Sequence, residues 1–353
     1  MVKRRKTRPV KLGKVKIGRN SPISIQSMTK TNTADWEGTV RQIHRLEEAG
    51  CEIIRVAVPD WQSAKSLSRI KKGINIPLVA DIHFLPELAL EAISQGIDGL
   101  RINPGTISNR AALVKIFKAA QSKKIPVRIG INAGSLPGRR SKSLRKDMAE
   151  AALKAMRLCQ DLKFYDLIFS LKAFDIEETV GAYQLLAKKC NYPFHLGITE
   201  AGPVSAGSIR SAIGIGCLLR QGIGDTIRVS LTADPVEEVK VAREILSALN
   251  LRRFGPTIVS CPTCGRCQVD LIKIVSRLEE SLKGIYPPNR MKPAIKVAVM
   301  GCMVNGPEEA RQADIGLAAG RKEGWFFKKG KKIKKIPEKK WVEVLIEEIK
   351  KFK

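Results

Sequence analysis

Eight short β-rich runs alternate with helical patterns between residues 23 and 230, and this alternation constrains the fold more than any other feature. The runs lie at 23–27, 53–58, 78–82, 99–102, 127–131, 167–171, 194–198 and 226–230. Their spacing, roughly 20–40 residues, is that of βα units. Parallel strands need long crossovers, and eight of them close into a (β/α)8 barrel. The helices between them carry periodic apolar faces: Val239, Ala242, Leu246 and Leu249 share one side. Asp234 is placed to cap that helix, Pro235 suits its first position, and Glu237 has capping-box spacing. A doubly wound open sheet is the alternative. Its dinucleotide-binding version requires Gly-x-Gly-x-x-Gly after the first strand, where this chain has Gln26-Ser-Met-Thr-Lys-Thr-Asn.

The pattern stops at Gly255-Pro256, a chain-stop signal. The reading is therefore a barrel over residues 1–253 and a small α+β domain over 254–353. The second domain is read as a strand at 258–260, a helix at 269–283, a strand at 295–300, a tight Asn305-Gly-Pro turn, a strand at 315–318 and a final helix from Pro337. The run Lys-Lys-Gly-Lys-Lys-Ile-Lys-Lys at 328–335 reads as a solvated hairpin or tail.

Charge is the compositional outlier: 63 Lys and Arg against 34 Asp and Glu give +29. Residues 1–19 hold nine bases and no acid, and residues 321–353 hold thirteen bases and five acids. More than half of the excess thus lies at the two ends and points to anionic partners. No apolar run reaches the roughly 18 residues of a membrane span, and no apolar stretch follows the basic N-terminus as a secretory signal requires. Eight cysteines without an export signal predict a reducing, cytoplasmic setting with free thiols or metal ligands. Cys51, Cys159, Cys190 and Cys217 sit among apolar or helical neighbours and read as small buried hydrophobes. Composition argues against nucleic-acid binding: only 5% of residues are aromatic, too few for stacking platforms.

In a (β/α)8 barrel the chemistry sits at the C-terminal ends of the strands. Polar residues recur there: Arg55, Asp81 with His83, Arg101 with Asn103, Arg128 and Asn132, Lys172, Glu200, and Arg228 with Ser230. Residues two apart share a strand face, so several cations point the same way. Buried charges are normally paired, and the plain reading is internal pairing with Asp81 and Glu200. Five cations outnumber those two acids, however. The surplus predicts an anionic ligand of two or more charges, and guanidinium forks suit a diphosphate. His83 alone fits a core histidine and a ligand contact equally.

The remaining cysteines form a constellation. Residues 260–267 read Ser-Cys-Pro-Thr-Cys-Gly-Arg-Cys, and Cys302 follows in Met-Gly-Cys-Met-Val-Asn-Gly-Pro. Cys261, Cys264 and Cys267 have the spacing of ferredoxin-like cluster loops. With Cys302 they would make four thiolates, and spacing alone leaves both structural zinc and an iron–sulfur cluster open.

At these residues the chain closely resembles the 4-hydroxy-3-methylbut-2-enyl diphosphate synthase family, the bacterial-type iron–sulfur enzymes of the methylerythritol phosphate route to isoprenoids. The matching blocks include Leu78-Val-Ala-Asp-Ile-His-Phe, Arg101-Ile-Asn-Pro-Gly and Arg128-Ile-Gly-Ile-Asn-Ala-Gly-Ser-Leu. Further blocks are Gly197-Ile-Thr-Glu-Ala-Gly, Ser260-Cys-Pro-Thr-Cys-Gly-Arg and Met300-Gly-Cys-Met-Val-Asn-Gly-Pro. The resemblance spans roughly residues 15–320 and leaves the two basic ends outside.

The resemblance implies a barrel plus a cluster domain without the extra middle domain of the plant-type enzyme. It implies reductive ring opening of 2-C-methyl-D-erythritol 2,4-cyclodiphosphate, with two electrons from reduced ferredoxin or flavodoxin. It implies a homodimer in which one subunit's barrel mouth faces the other's cluster domain. It also implies one [4Fe–4S] cluster per subunit, held by Cys261, Cys264, Cys302 and, seven residues later, Glu309. Arg55, Arg101, Arg128 and Lys172 would then meet the diphosphate, with Asn103, Asn132, Arg228 and Ser230 orienting it. Asp81 and His83 would lie at the same mouth, Glu200 would be the general acid, and Asn305 would touch substrate or cluster. Three features depart from the family pattern: Glu308 beside Glu309, the extra thiol Cys267, and the basic stretch after residue 137. Cys267 is expected to turn away from the cluster as its loop enters the next helix. A phosphate- or pterin-binding barrel with structural zinc is the competing enzyme class, distinguished by its metal.

Overall fold

Alternating strands and helices build the first unit of the computed structural model, which describes residues 2–103, 105–107, 109–136, 143–285 and 295–352. The chain divides into two units, Met1–Arg252 and Arg253–Lys353. The first opens with a hairpin, β1 (Val10–Leu12) and β2 (Val15–Ile17). The barrel follows: β3 (Ser24–Met28), α1 (Trp36–Ala49), β4 (Ile53–Ala57), α2 (Trp61–Lys72), β5 (Leu78–Ile82), α3 (Pro86–Ser94), β6 (Gly99–Ile102) and α4 (Arg110–Ser122). It continues with β7 (Val127–Asn132), α5 (Leu144–Asp161), β8 (Leu167–Lys172), α6 (Ile176–Ala187), β9 (His195–Leu196), α7 (Val204–Arg220), β10 (Thr226–Ile227) and α8 (Pro235–Ala248).

The sheet order is β8-β7-β6-β5-β4-β3-β10-β9, all parallel. Phe169 of β8 pairs with Phe194, just before β9, and its N–H donates to the Pro193 carbonyl at 3.0 Å. That contact joins the two edges, so the expected eight-stranded barrel is present. Strands covered on both sides read as near-continuous apolar runs, and β5 is buried throughout. The last two strands are shorter than their patterns suggested. Gly197 directly follows β9: a Cβ there would collide with the Arg228 carbonyl and lie 2.6 Å from Lys172 Nζ. The missing side chain lets a buried lysine occupy the space.

The basic N-terminus is structural. Arg4 pairs with Asp225 at 3.1 Å, and Arg5 donates to the Cys190 carbonyl at 2.6 Å while stacking 3.9 Å from the Phe194 ring centroid. Thr7 Oγ1 donates to the same Asp225 at 2.9 Å. The hairpin then closes the barrel floor: Val10, Leu12 and Ile17 pack on Ile53, Val79 and Ile168. Each such burial contributes about 1.5–3 kcal/mol. On α8, Asp234 accepts from Val236 N at 2.9 Å as a cap, whereas Glu237 pairs with Lys240 at 2.6 Å and makes no capping box.

The second unit comprises β11 (Thr257–Ser260), α9 (Leu271–Ile285), β12 (Lys296–Met300), α10 (Gly306–Arg311), β13 (Ile315–Ala319), β14 (Glu323–Lys328), β15 (Lys331–Pro337) and α11 (Trp341–Lys350). Its sheet runs β11-β12-β13-β14-β15, parallel across the first three strands and antiparallel thereafter. Strand alternation assigns its two faces. Val297 and Val299 pack with Leu278, Leu317, Trp341 and Leu345 beneath α9 and α11. Ala298 and Met300 pack with Ala310 and Phe327 beneath α10. The lysine-rich run 328–335 forms the outer hairpin rather than a tail, turning at Gly330 with φ +77°. Charged side chains on such an edge discourage strand addition by other chains. The basic stretch expected after residue 137 lies partly outside the described residues; from Leu144 it is helix α5.

Candidate functional site

Register brings the barrel cations together. Asp81 of β5 is opposite Arg101 of β6, and Arg101 is opposite Arg128 of β7, so one row across three strands reads carboxylate, guanidinium, guanidinium. Asn132 is likewise opposite Lys172. Arg101, Arg128 and Lys172 are 3%, 5% and 7% exposed, which is costly for cations unless anions answer them.

Asp81 is the first answer. Arg101 Nη1 donates to it at 3.0 Å, and Arg55 Nε lies 3.6 Å away. Burial pushes the Asp81 carboxyl up, but the Arg55 and Arg101 charges overcome burial and hold it well below the usual carboxylate range. Arg101 Nη1 is also 2.8 Å from His83 Nε2. The same ring nitrogen lies 3.6 Å from Asp81 Oδ1, so His83 joins the Asp81–Arg101 cluster. The His83 side chain is 41% exposed, so it is not a core histidine.

The second answer is not Glu200. Glu200 is exposed in the turn after β9 with a left-handed φ of +54°, and it forms no ion pair among the described residues. The internal-pairing role falls to Glu238, 1% exposed in the first turn of α8. Its carboxylate accepts from Ser27 Oγ at 3.2 Å and Leu231 N at 3.1 Å, and it lies 3.5 Å from both Arg228 Nη2 and Lys30 Nζ. Arg55, Arg101, Arg128, Lys172 and Arg228 still outnumber Asp81 and Glu238 by three. Arg128 donates to Gln26 Oε1, while its Nε and Nη2 have no partner among the described residues. Burial first, then Arg55 and Arg101, lower the Arg128 pKa well below its ordinary value. Since a guanidinium does not deprotonate in practice, this measures how unfavourable the site is without an anion. A dianion of diphosphate size is what the arrangement can bind.

Two glycines make room for this row. A Cβ on Gly130 would collide with the Arg101 guanidinium, and Gly197 borders Lys172 as described. Asn103 serves its loop: its amide donates to Ser135 Oγ at 2.7 Å and accepts from Gly105 N at 2.9 Å. Ser230 and Asn132 are half-buried at the same strand ends. His195 was not foreseen. It is fully buried with neither ring nitrogen partnered, and burial together with Arg128 and Lys172 keeps it well below its ordinary pKa.

Lys172 gives the row a pH signature. Its pKa is driven well down by burial first and by Arg228, Arg55, Arg128 and Arg101 next. An entering diphosphate offsets those charges and raises the lysine's pKa, so the complex holds more protons than the free protein. By linkage, affinity increases as pH falls. Calorimetric titration with pyrophosphate in buffers of different ionisation heat should report net proton uptake at mildly alkaline pH, abolished by Lys172→Met. Proton release would contradict this.

In the second unit the thiols lie at the ends of neighbouring parallel strands. Cys261 follows β11 and Cys302 follows β12, and Ser260 is opposite Val299. The Gly301 N–H donates to Cys261 Sγ at 3.4 Å. The Asn305, Val304 and Gly306 N–H groups lower the Cys302 thiol pKa, and Arg266 lowers that of Cys264. Both shifts favour the thiolate, the form that binds soft metal. This donor chemistry fits an iron–sulfur cluster, although no three metal-ligating side chains converge among the described residues.

Cys267 does not turn away. A Cβ on Gly301 would collide with Cys267 Sγ and sit 3.6 Å from Cys261 Sγ, so the two sulfurs flank one glycine. Cys267 is occupied otherwise, donating to the Val269 carbonyl at 3.3 Å. Glu308 pairs with Arg311 at 3.3 Å, while Glu309, next along α10, is exposed. Asn305 is exposed at the start of that helix.

Residues 7–243 match the GcpE TIM-barrel domain, and residues 257–351 match the GcpE protein C-terminal domain. The chain belongs to the GcpE family. Among curated relatives, 4-hydroxy-3-methylbut-2-en-1-yl diphosphate synthase (flavodoxin) of Geobacillus kaustophilus is 52% identical, covering 100% of this chain and 94% of the relative. The Thermodesulfovibrio yellowstonii protein of the same name is 52% identical, covering 99% of this chain and 100% of the relative. The family likeness thus includes both basic ends, which the sequence blocks had left outside. Dihydropteroate synthase of Yersinia pestis shares the barrel, with a TM-score of 0.51 over 69% of this chain and 98% of that chain at 13% identity. At that identity the likeness is one of fold.

Proposed function

We propose that this GcpE-family chain reductively opens 2-C-methyl-D-erythritol 2,4-cyclodiphosphate, giving (E)-4-hydroxy-3-methylbut-2-enyl diphosphate and water. The observation that carries the reading is the cation excess in the barrel, a built receptor for a diphosphate in a chain half identical to enzymes of that name. Arg55, Arg101, Arg128 and Lys172 bind the diphosphate oxygens. Asp81 and His83 hold Arg101 in place. Arg228 and Ser230 orient the substrate beside Glu238, and Asn132 sits next to Lys172. Glu200, at the mouth, protonates the oxygen that leaves as water. Asn305 contacts the substrate from the cluster side.

One [4Fe–4S] cluster per subunit, held by Cys261, Cys264, Cys302 and Glu309, supplies electrons and a Lewis-acidic iron when bound. The name borne by the relatives supports a flavodoxin as donor. The active assembly in this reading is a homodimer with one subunit's barrel facing the other's cluster domain. No helix among the described residues is long and apolar enough to cross a membrane. The zinc-containing pterin or phosphate enzyme is the less favoured reading. Anaerobic purification with iron and sulfide analysis, sedimentation and assay with reduced flavodoxin tests all of this. Four irons and four sulfides per chain, a dimer and the expected product are anticipated; a colourless zinc protein or a monomer with full activity would refute the corresponding part.

The fourth ligand has its own test. Cys267→Ser should keep its iron and most activity, because that thiol is committed to Val269. Glu309→Ala should lose activity or hold iron labile to chelators, and Glu308→Ala should be mild. Iron loss in Cys267→Ser with a silent Glu309→Ala would make the site an all-cysteine cluster.

A further inference from the structure

Positive charge is concentrated at both ends of the sequence, but only the C-terminal end carries it beside the cysteine loops. Arg4 and Arg5 are consumed in contacts with Asp225, Cys190 and Phe194. At the other end, Arg321 and Lys322 form the turn between β13 and β14. Both are exposed, and neither has an ion pair among the described residues.

That turn is tied to the cysteine loops. The Arg321 N–H donates to Gln268 Oε1 at 3.2 Å, and the Gln268 N–H donates to the Gly301 carbonyl at 2.9 Å. Gln268 follows Cys267 and Gly301 precedes Cys302, so the basic turn is two hydrogen bonds from the thiol-bearing backbone. A Cβ on Gly320 would lie 3.2 Å from the Met303 side chain, so Met303 rests against the turn. Met303 and Val304 are apolar and exposed, at 39% and 66%. The Glu338 N–H donates to the Lys322 carbonyl at 3.0 Å, which brings Lys339 and Lys340 to the same end of the sheet. There Arg321, Lys322, Lys335, Lys339 and Lys340 stand with Glu323 and Glu338, and Lys335 pairs with Glu323.

We infer that the Arg321–Lys322 turn, with its flanking lysines and with Met303 and Val304 at its apolar centre, is the docking face for an acidic flavoprotein electron carrier. A small apolar centre with a charged rim is the anatomy of a transient interface. Opposite charge steers encounter and sets orientation, and it does so most at low salt. The face adjoins the loops of the candidate cluster, so a carrier seated there is close to its electron acceptor. This inference rests on the reading of the preceding section, and its test separates the two.

The double charge reversal Arg321→Glu/Lys322→Glu would be compared with wild type as anaerobic holoenzyme, with matched iron content as the check on folding. Reduced flavodoxin and dithionite would serve as alternative reductants in stopped-flow measurements of cluster bleaching and in turnover assays. We expect the second-order rate constant with flavodoxin to fall at least about tenfold at low salt and its salt dependence to flatten. Dithionite-driven reduction and turnover should be unchanged. Reversal of Lys11 and Lys14, both exposed on the floor hairpin, should leave the flavodoxin rate as it was. An unchanged flavodoxin rate in the double variant would overturn the assignment. So would an equal loss with dithionite, since the turn would then serve the cluster site itself. A wild-type protein inactive with both reductants would instead refute the proposed reaction.

Discussion

Glu200→Gln is expected to bind the cyclodiphosphate normally and to turn it over about 10²–10⁴-fold more slowly, the range for removal of a positioned acid. The substitution keeps the side chain's size and a hydrogen-bonding end, and removes only the transferable proton. The fold should not register it, because Glu200 is exposed and carries no ion pair among the described residues. Its backbone is consistent with a presented side chain. A left-handed φ of +54° is uncommon for a residue with a side chain, and Gly202 at φ +104° follows in the same turn. Such local strain recurs where a side chain must be presented at a site. Single-turnover kinetics with prereduced enzyme would separate binding from chemistry. Near-normal turnover would remove Glu200 from the mechanism.

Asp81→Asn should be the most destabilising change in the barrel. The carboxylate is 4% exposed and answers both Arg55 and Arg101. An asparagine of the same shape leaves two guanidinium groups without a counter-charge, and breaking a buried pair in this way costs about 3–5 kcal/mol. For a unit of this size that lowers the melting temperature by on the order of 10 °C. The loss should depend on pH in a defined direction. The folded-state pKa of Asp81 is depressed, so wild type holds this contribution above the unfolded carboxylate pKa and loses it as pH falls through the folded one. The gap between wild type and Asp81→Asn should therefore be widest near neutrality and narrow in acid. Pyrophosphate should restore part of the loss, since an anion bound to the same cations stabilises the folded state. A melting temperature equal to wild type, with no pyrophosphate effect, would mean that Asp81 does not hold the arginines.

The barrel was legible because its strands are short apolar runs at regular spacing, and a chain of parallel strands has few ways to close. The polar strand ends were legible for the same reason: charge inside an apolar run stands out. Gly130 left a weaker trace, a glycine within a strand, which marks close approach by another group. Glu238 left none, since a glutamate in a helix's first turn looks like any helix start, and the helix's path over the strand ends is what buries it. Gln26 and His195 were equally silent, being single polar residues in apolar runs.

By itself, then, the sequence determined the eight βα units, the separate α+β domain, the cation row at the strand ends and the two cysteine loops. These follow from periodicity and spacing, which are local properties of the chain. Tertiary structure alone decided how the charges are shared. Strand register set Asp81, Arg101 and Arg128 side by side, and the packing of α8 brought Glu238 rather than Glu200 to Arg228. It also docked Arg4 and Arg5 on Asp225, Cys190 and Phe194, and it placed Cys267 beside Cys261 at Gly301. The reason is physical: pairing depends on distances between residues remote in sequence, and those distances exist only once the sheet has closed and its helices have packed.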